Sequence, residues 1–226
     1  LRLAMSGQLA EAELDDERVY EVLDLCLEYR ACRTECPAGV DMASLKSEFL
    51  AKYWKEHGTP LRARVLGDVE RMAAWGSRLA PVSNWIASNP LVRRLNEGLL
   101  DIDRRRSLPE WKRNTFASWI AKHPRRISPN AKPVALFSDT FMNHYDPEIG
   151  IAALEVLERN GHSVEVVRPG CCGRPFISQG LLGAARARAS KVVENLFPIA
   201  ERGDKILFCE PSCLSAVKED APSVLR

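Results

Sequence analysis

The sequence predicts two parts of different fold class, an all-helical part followed by an α/β layer with parallel strands. Three observations support this prediction. Helical periodicity dominates the first half, short apolar runs alternate with helical segments in the second half, and a loop-rich stretch at 128–133 separates them. We therefore place the domain boundary at that stretch, which gives a helical domain at 1–127 and an α/β domain at 128–226.

The helical half begins with a predicted helix over 14–30, which has two acidic residues in its first turn. Its inward face is expected to carry the four residues Val19, Val22, Leu23 and Cys26. The segment from Cys32 to Gly39 is expected to be a loop. Asp41 then follows as the predicted N-cap of a second helix, which Gly58 would end.

Prolines divide the rest of this half. Pro60 begins a helical stretch that we expect to reach about Leu79, and Pro81 and Pro90 interrupt the chain after it. The run Ser107-Leu-Pro-Glu predicts the start of one further helix. Its inward residues would be Trp111, Thr115, Trp119 and Ile120. No strand is expected before residue 123.

The second half alternates strands and helices. The apolar run 134–137 is typical of a buried strand, and a helix is predicted at 146–159. A second strand at 163–167, a helix at 181–200 and a third strand at 205–208 complete the pattern. Strands that alternate with helices predict a parallel sheet.

Composition excludes several classes of function. The chain has 226 residues, of which 46% are hydrophobic and 27% charged, and its formal net charge is +2. This charge does not indicate nucleic-acid binding. No apolar run is long enough to predict a transmembrane segment. We also expect both ends to be cuts in a longer polypeptide, because Leu1 begins in the middle of a helical pattern and Arg226 follows an unfinished apolar segment.

Cysteines are the most informative residues. The seven cysteines are Cys26, Cys32, Cys36, Cys171, Cys172, Cys209 and Cys213. They lie in tight clusters that are far apart in the chain, and their number is odd. A disulfide framework of a small secreted protein has a different pattern, so the clusters predict metal or redox chemistry.

The first cluster matches most of a bacterial iron–sulfur motif. In the pattern Cys-x2-Cys-x2-Cys-x3-Cys-Pro, Cys26, Cys32 and Cys36 take the first, third and fourth positions, and Tyr29 takes the second. A phenolate is a harder and weaker ligand for such clusters than a thiolate. We therefore predict an iron–sulfur site that this chain supplies only in part. Three structural cysteines or a zinc site are the alternatives, although a Cys-x5-Cys pair is wide for zinc.

The second cluster combines Cys171 and Cys172, which follow Gly170, with Cys213. These cysteines follow predicted strands and should gather at the carboxyl edge of the sheet, where open α/β folds build sites. We predict metal or cluster ligands, with redox-active thiols and inert structural cysteines as alternatives. The two neighbouring thiols are not expected to point into a core together, and Cys209 is expected to be a core residue.

Three further residues follow the first predicted strand at the same edge, namely Asp139, Thr140 and His144. They would either line a site beside Cys171 or form a capped loop, and we favour the capped loop. The four histidines are scattered, and no spacing supports a Ser/His/Asp or paired-carboxylate arrangement. No glycine-rich phosphate loop is present, so the sequence predicts neither a flavin nor a nicotinamide site.

The order of these motifs resembles the C-terminal region of FAD-linked oxidases that carry fused iron–sulfur and cysteine-rich (CCG) domains, of the D-2-hydroxyglutarate and D-lactate dehydrogenase type. The similarity runs over nearly the whole chain. The matching segments are Leu1-Arg-Leu-Ala-Met-Ser-Gly7, Cys36-Pro-Ala-Gly-Val-Asp-Met42, Asp139-Thr-Phe141, Cys171-Cys-Gly-Arg-Pro175, Ile177-Ser-Gln-Gly180 and Glu210-Pro-Ser-Cys213.

The resemblance implies an α-helical ferredoxin-like domain at 1–127, truncated at its start, and a CCG domain at 128–226, truncated at its end. A flavin domain with FAD would lie upstream in the same polypeptide and oxidise a 2-hydroxy acid. Its electrons would pass through [4Fe–4S] centres to a downstream acceptor, so this chain would belong to an enzyme without being catalytic itself. Its predicted location is cytoplasmic, with peripheral attachment to the inner membrane left open.

Two details depart from the family pattern. The family places a cysteine where this chain has Tyr29, and its CCG domain often occurs as two copies where one is present here. We name Arg30, Arg33 and the backbone amides next to Cys36 as groups that would tune a cluster's potential.

Two other functions remain open at this point. The chain would alternatively be the iron–sulfur subunit of a glycolate oxidase or of an anaerobic glycerol-3-phosphate dehydrogenase. It would otherwise be a scaffold without a cluster that only docks partners. Exposed tryptophans would favour the scaffold, but we expect most of Trp75, Trp85, Trp111 and Trp119 to lie in a core.

Overall fold

The computed structural model describes residues 17–124 and 131–226. The chain divides into two compact units by packing. The first contains Leu1–Gly67 and Pro175–Ala185, and the second contains Asp68–Arg174 and Arg186–Arg226. The predicted domain boundary at 128 lies outside the described residues and stays a prediction.

Four helices lie within residues 17–67, the described beginning of the first unit. They are α1 (Glu17–Asp24), α2 (Ala31–Glu35), α3 (Met42–His57) and α4 (Leu61–Gly67). The side chain of Asp41 accepts a hydrogen bond from the Ser44 amide, which confirms the predicted N-cap, and Gly58 ends α3 with a φ of 82°. A cluster of buried residues on α1 and α3, including Leu23 and Phe49, forms the core of these helices.

Three predictions for this part were wrong. The first helix ends at Asp24 instead of continuing to residue 30, because Glu28 and Arg30 have φ angles of 58° and 64°, which no right-handed helix accommodates. Val22, expected inside, is exposed. The expected loop after Cys32 contains the short helix α2. The start predicted at residue 14 lies outside the described residues.

Four short helices come next, namely α5 (Val69–Leu79), α6 (Val82–Ser88), α7 (Pro90–Leu100) and α8 (Phe116–Ile120). The single helix expected from Pro60 to Leu79 is broken at Asp68. The helix expected to begin near residue 107 begins only at Phe116, since the Thr115 side chain caps it by accepting from the Ser118 amide. Within the described residues 17–124 there is no strand, as predicted.

Four of the five tryptophans correct a further expectation. Trp75 and Trp85 are exposed, and Trp111 and Trp119 are only half-buried. None of them lies fully in a core. Trp75 and Trp85 lie on the outward sides of the short helices α5 and α6.

A parallel sheet forms the centre of the second unit, as predicted. Its strands are β1 (Lys132–Phe137), β2 (His162–Val167) and β3 (Lys205–Phe208), in the order β2-β1-β3. Both neighbours pair with β1 in parallel, and Phe137 is in register with Val167 and Phe208. The carboxyl ends of all three strands therefore meet at one edge.

Helices connect and follow these strands. They are α9 (Thr140–His144), α10 (Pro147–Arg159), α11 (Arg174–Ser178), α12 (Leu182–Glu201), α13 (Pro211–Ser215), a π-helical turn (Ala216–Asp220) and α14 (Ala221–Leu225). The helices predicted at 146–159 and 181–200 are confirmed, with small shifts at their ends. Buried Phe137 belongs to a core cluster that also includes Val192 and Leu196 of α12. In the described parts of the chain, no helix combines the length and the apolar character needed to cross a bilayer.

Candidate functional site

The first cysteine cluster lies around α2 in the first unit. Cys26 follows α1 in a loop, Cys32 lies within α2, and Cys36 is the C-cap residue of α2, where its amide donates to the carbonyl of Cys32. All three are free and half-buried. The fold thus brings the motif to a surface that a cofactor or a partner can reach.

The loop between Cys26 and Cys32 has an unusual backbone. Glu28 and Arg30 both adopt positive φ, and both are residues for which this region costs about 1 kcal/mol or more. Tyr29 lies between them and is 77% exposed. The residue at the second position of the motif is therefore turned towards solvent.

Lys46 of α3 supports this loop. Its side chain is buried, its Nζ donates to the carbonyl of Cys26 over 2.9 Å, and it lies 3.5 Å from a carboxylate oxygen of Glu28. A buried ammonium needs such partners, because desolvation without them is costly. Sequence reasoning assigned no role to Lys46. A lysine at an otherwise apolar position of a helix was the only available signal.

Three backbone amides hydrogen-bond the sulfur of Cys36. Hydrogen bonds from the amides of Val40 and Ala38, and a weaker one from Gly39, lower the pKa of this thiol below its usual value. Amides that point at a sulfur stabilise the thiolate, which is the form that binds metals. The amides next to Cys36 do lie where the sequence analysis placed them, and their effect on a cluster potential stays a prediction.

The second cysteine cluster lies in the second unit, beyond the carboxyl end of β2. Cys171, Cys172 and Cys213 are all buried, and the Cys172 thiol is hydrogen-bonded to the thiols of both others. The expectation that neighbouring thiols would not share a core was wrong. Both belong to the cluster around Phe137, because the positive φ of Gly170 and Gly173 turns the chain sharply on either side of them.

These contacts make the buried thiols weak acids. The pKa of Cys171 is raised, first by its hydrogen bond with Cys172 and then by burial. The pKa of Cys172 is raised to about 12: its bond with Cys171 acts against the shift, whereas its bond with Cys213 and burial outweigh it. Thiols that are such weak acids become thiolates near neutral pH only when a cation binds them.

The same edge of the sheet carries polar groups. Asp139 is buried and caps α9 by accepting hydrogen bonds from the amides of Phe141 and Met142. The capping role that we favoured is therefore present, although the capped segment is a short helix. Burial raises its pKa, and nearby Glu210 adds to the shift. The hydroxyl of Thr140 is buried and has no hydrogen-bond partner among the described residues. Cys209, expected in the core, is exposed at the end of β3.

The donor chemistry of both clusters fits a thiolate-bound centre. The first offers an amide-stabilised thiol, and the second offers three soft donors in contact. Over residues 17–124 and 131–226, no three His, Cys, Asp or Glu side chains enclose a point suited to a metal ion. Each cluster would thus need further ligands or a rearrangement of its loops to complete a site.

Sequence comparison relates the chain to dehydrogenases. It is 29% identical over 192 residues, 84% of the chain, to the C subunit of the anaerobic glycerol-3-phosphate dehydrogenase of Escherichia coli strain K12. It is 24% identical over 211 residues, 89% of the chain, to D-2-hydroxyglutarate dehydrogenase of the same strain. For the Pseudomonas putida D-2-hydroxyglutarate dehydrogenase, identity is 22% over 214 residues, 91% of the chain.

The chain covers only part of these relatives. It spans 48% of the glycerol-3-phosphate dehydrogenase polypeptide and 21% of the Escherichia coli D-2-hydroxyglutarate dehydrogenase. No family model and no solved structure matches the chain. The sequence identities to the two dehydrogenases confirm the relation to oxidoreductases. Because no family model and no solved structure matches, the ferredoxin-like and CCG assignments stay predictions.

Proposed function

We propose that this chain is an electron-transfer module of an FAD-linked dehydrogenase. Electrons would pass from a flavin domain outside the chain, through iron–sulfur centres held in part by this chain, to a downstream acceptor. The observation that carries the proposal is that Cys36 lies in a motif that matches three of four iron–sulfur positions, with backbone amides of 38–40 that hydrogen-bond its sulfur and lower its pKa. The dehydrogenase relatives support the same role.

In this function, Cys26 and Cys32 would be ligands of one iron–sulfur centre, and Cys36, at the fourth position of the motif, would be a ligand of a neighbouring one. Each centre supplies a one-electron carrier when it is bound. The chemistry of the three cysteines is to bind through thiolates and to set the potential. Hydrogen bonds to a ligand sulfur favour the more negatively charged, reduced state, so the amides of 38–40 would raise the reduction potential. Cys171, Cys172 and Cys213 would form a second thiolate set.

Two types of dehydrogenase are candidates for the whole protein. The order of motifs over nearly the whole chain favours a 2-hydroxyacid dehydrogenase of the D-2-hydroxyglutarate or D-lactate type. The 29% identity to the C subunit of anaerobic glycerol-3-phosphate dehydrogenase favours the second type, in which this chain would be part of an iron–sulfur subunit. The two are separated by the substrate, D-2-hydroxyglutarate or glycerol 3-phosphate, that bleaches the visible absorption of the holoenzyme.

The proposal is tested by iron and acid-labile sulfide per chain after reconstitution without oxygen. We expect both to bind with a visible absorption band, at less than one full cluster in the first site. Cys36→Ser should lower the iron content, and Cys171→Ser should lower it separately if the second set binds. Cys209→Ser is the matched control and should leave the content unchanged, because this cysteine is exposed and outside both sets. Absence of iron and sulfide would contradict the proposal.

A further inference from the structure

A cavity lies beside the edge strand β2, on the face of the sheet that α10 covers. Its volume is about 300 Å³, close to the lower limit of the cavities that bury small ligands, about 300–1,000 Å³. Its walls come from β2, α10, and α8 with the turn that follows it, all within the second unit. Neither cysteine cluster contributes to the residues that line it.

The floor of this cavity is apolar. Val164 and Val166 are alternate residues of β2, so their side chains lie on the same face of the strand. Both pack in one cluster with Leu154 of α10 and Ile120 of α8. Leu154 is buried and the other three are half-buried. The floor therefore keeps apolar surface that a ligand can cover, and covering it is favourable.

The two ends of the cavity carry opposite charges. Glu158 lies in the last turn of α10, just before the chain turns into β2, whereas Arg168 follows the last residue of β2. At about 3.3 Å per extended residue, the chain from Val164 to Arg168 spans roughly 13 Å. An acidic residue and a basic residue are thus separated by the length of the apolar floor.

The acidic end has a partner, and the basic end does not. His123 Nε2 and Glu158 Oε2 are 3.2 Å apart, and the two side chains are only 16% and 8% exposed. The His123 ring also stacks on Trp119, with 4.3 Å between the ring centroids. In the part of the chain that the structure describes, the exposed side chain of Arg168 forms neither a hydrogen bond nor an ion pair. This guanidinium is therefore available to an anion.

An available guanidinium at the end of an apolar floor matches a monocarboxylate with an apolar chain. The donors of Arg168 form a planar fork that fits a carboxylate. The chain of such a ligand would cover Val164 and Val166 and remove their surface from water. A dicarboxylate fits less well, because its second charge would approach Glu158.

We propose that this cavity binds apolar monocarboxylates of medium chain length, with the carboxylate on Arg168 and the chain along β2. The inference goes beyond the proposed electron transfer and does not rest on it, because the cysteine clusters lie outside the cavity. Carboxylate binding can therefore fail while iron binds, and the reverse is equally possible to observe.

The test is isothermal titration calorimetry of the full 226-residue chain with octanoate, 1-octanol and acetate. We expect octanoate to bind at one saturable site. 1-Octanol lacks the charge and should bind about tenfold more weakly, and acetate lacks the chain and should show no measurable binding. Absence of octanoate binding would overturn the proposal. Equal affinities for octanoate and 1-octanol would also overturn it, because the anion would then have no anchor.

Substitution of Arg168 tests the anchor. Arg168→Gln should lower the affinity for octanoate about tenfold and leave the affinity for 1-octanol unchanged. Arg168→Lys keeps a cation without the planar fork and should recover part of the loss. The matched control is Arg113→Gln, since Arg113 is exposed and does not line the cavity. An equal effect of the two glutamine substitutions would contradict the assignment of Arg168.

Substitution of Ala121 tests the location. Ala121 lines the cavity but is exposed, so Ala121→Phe should block octanoate and 1-octanol alike without enlarging a buried core residue. Ala187→Phe on α12 is the matched control, because Ala187 is exposed and lies outside the cavity. Circular dichroism checks that both variants keep their helix content. Octanoate binding that is equal in these two variants would place the site elsewhere and overturn the proposal.

Discussion

The buried ammonium of Lys46 donates to the backbone carbonyl of Cys26, with Nζ and the oxygen 2.9 Å apart. The same nitrogen lies 3.5 Å from the Glu28 carboxylate. One side chain of α3 thus fixes both the cysteine that begins the iron–sulfur motif and the residue whose positive φ shapes the loop after it. The loop that carries the motif depends on a contact twenty residues away in sequence.

Lys46→Met should therefore destabilise the protein by roughly 3 kcal/mol, because it removes a buried cation from beside the Glu28 carboxylate and the donor to the Cys26 carbonyl. Urea unfolding followed by circular dichroism measures this loss. Lys52→Met is the control on the same helix, since Lys52 is exposed, and it should change little. The double variant with Glu28→Gln should recover part of the loss. If Lys46→Met and Lys52→Met lower the free energy of unfolding equally, Lys46 does not have the structural role assigned to it.

Tyr29→Cys should increase the iron bound per chain after reconstitution. The substitution completes the four cysteines of the motif at a position that is already exposed in the loop. Leu27→Cys adds a cysteine to the same loop outside the motif, and Leu27 is 85% exposed, so it is the control for a thiol in the wrong place. If both variants bind the same amount of iron, the spacing of the motif does not determine binding.

Cys36 should be alkylated by iodoacetamide at neutral pH before Cys209 in the metal-free protein. The amides of Val40 and Ala38 lower the pKa of Cys36, whereas partial desolvation of the thiol by neighbouring atoms and the nearby Asp139 raise the pKa of Cys209, although its residue surface is exposed. The reactive species is the thiolate, so the alkylation rate of Cys36 should level off at a lower pH. Peptide mass spectrometry over a pH series gives both rates from one sample. A common midpoint for the two thiols would refute the amide effect.

Gly76→Ala should cost about 1–3 kcal/mol of stability by overpacking. A Cβ at this position would overlap with the indole of Trp111, which its hydrogen bond to the Tyr145 hydroxyl holds in place. Gly98→Ala is the matched control, because nothing lies near the new methyl group there and a helical alanine should add roughly 0.5 kcal/mol. Thermal unfolding of both variants is the measurement, and shifts of the same sign would contradict the packing of Trp111.

Asp139 should make stability fall as the pH rises. Burial raises its folded pKa above the ordinary 3.8, with Glu210 adding to the shift, so the folded state holds its proton over a range where the unfolded state has lost it. The contribution of this proton is fully present below 3.8 and is lost as the pH rises through the folded pKa. Asp139→Asn keeps an oxygen for the cap of α9 and removes the titration.

The check is the difference in unfolding free energy between the unaltered chain and Asp139→Asn over a pH series. This difference should turn against the unaltered chain as the pH rises from 3.8. A constant difference would show that Asp139 does not titrate with a raised pKa. The variant should retain its helix content, because asparagine caps helices as well as aspartate does.

Local patterns predicted most of the regular structure. The third strand, Lys205–Phe208, lies where its apolar run placed it, and the Asp41 cap and the Gly58 end of α3 follow from their residue types alone. The predictions that were wrong depended on backbone angles of single residues. The residue types of Glu28 and Arg30 do not indicate a positive φ, so the periodic pattern could not predict that α1 ends early.

The candidate sites divide in the same way. The cysteines and their spacing can be recognised in the sequence, because thiolate ligation of an iron–sulfur centre needs cysteines at those intervals. That Cys171, Cys172 and Cys213 form one buried trio, and that Cys209 lies outside it, depends on how β2 and β3 end against the core around Phe137. The outward turn of Trp75 and Trp85 is likewise a property of packing.

The alternation of helices and strands, the parallel sheet and the identity of the thiols follow from the amino-acid sequence, since they depend on periodicity and residue chemistry within a few residues. Tertiary packing was needed to show that Lys46 holds the Cys26 loop, that the second set of thiols is buried and weakly acidic, and that α7 exposes its leucines. The physical reason is that burial and pairing are set by residues distant in the chain, which a local pattern does not contain.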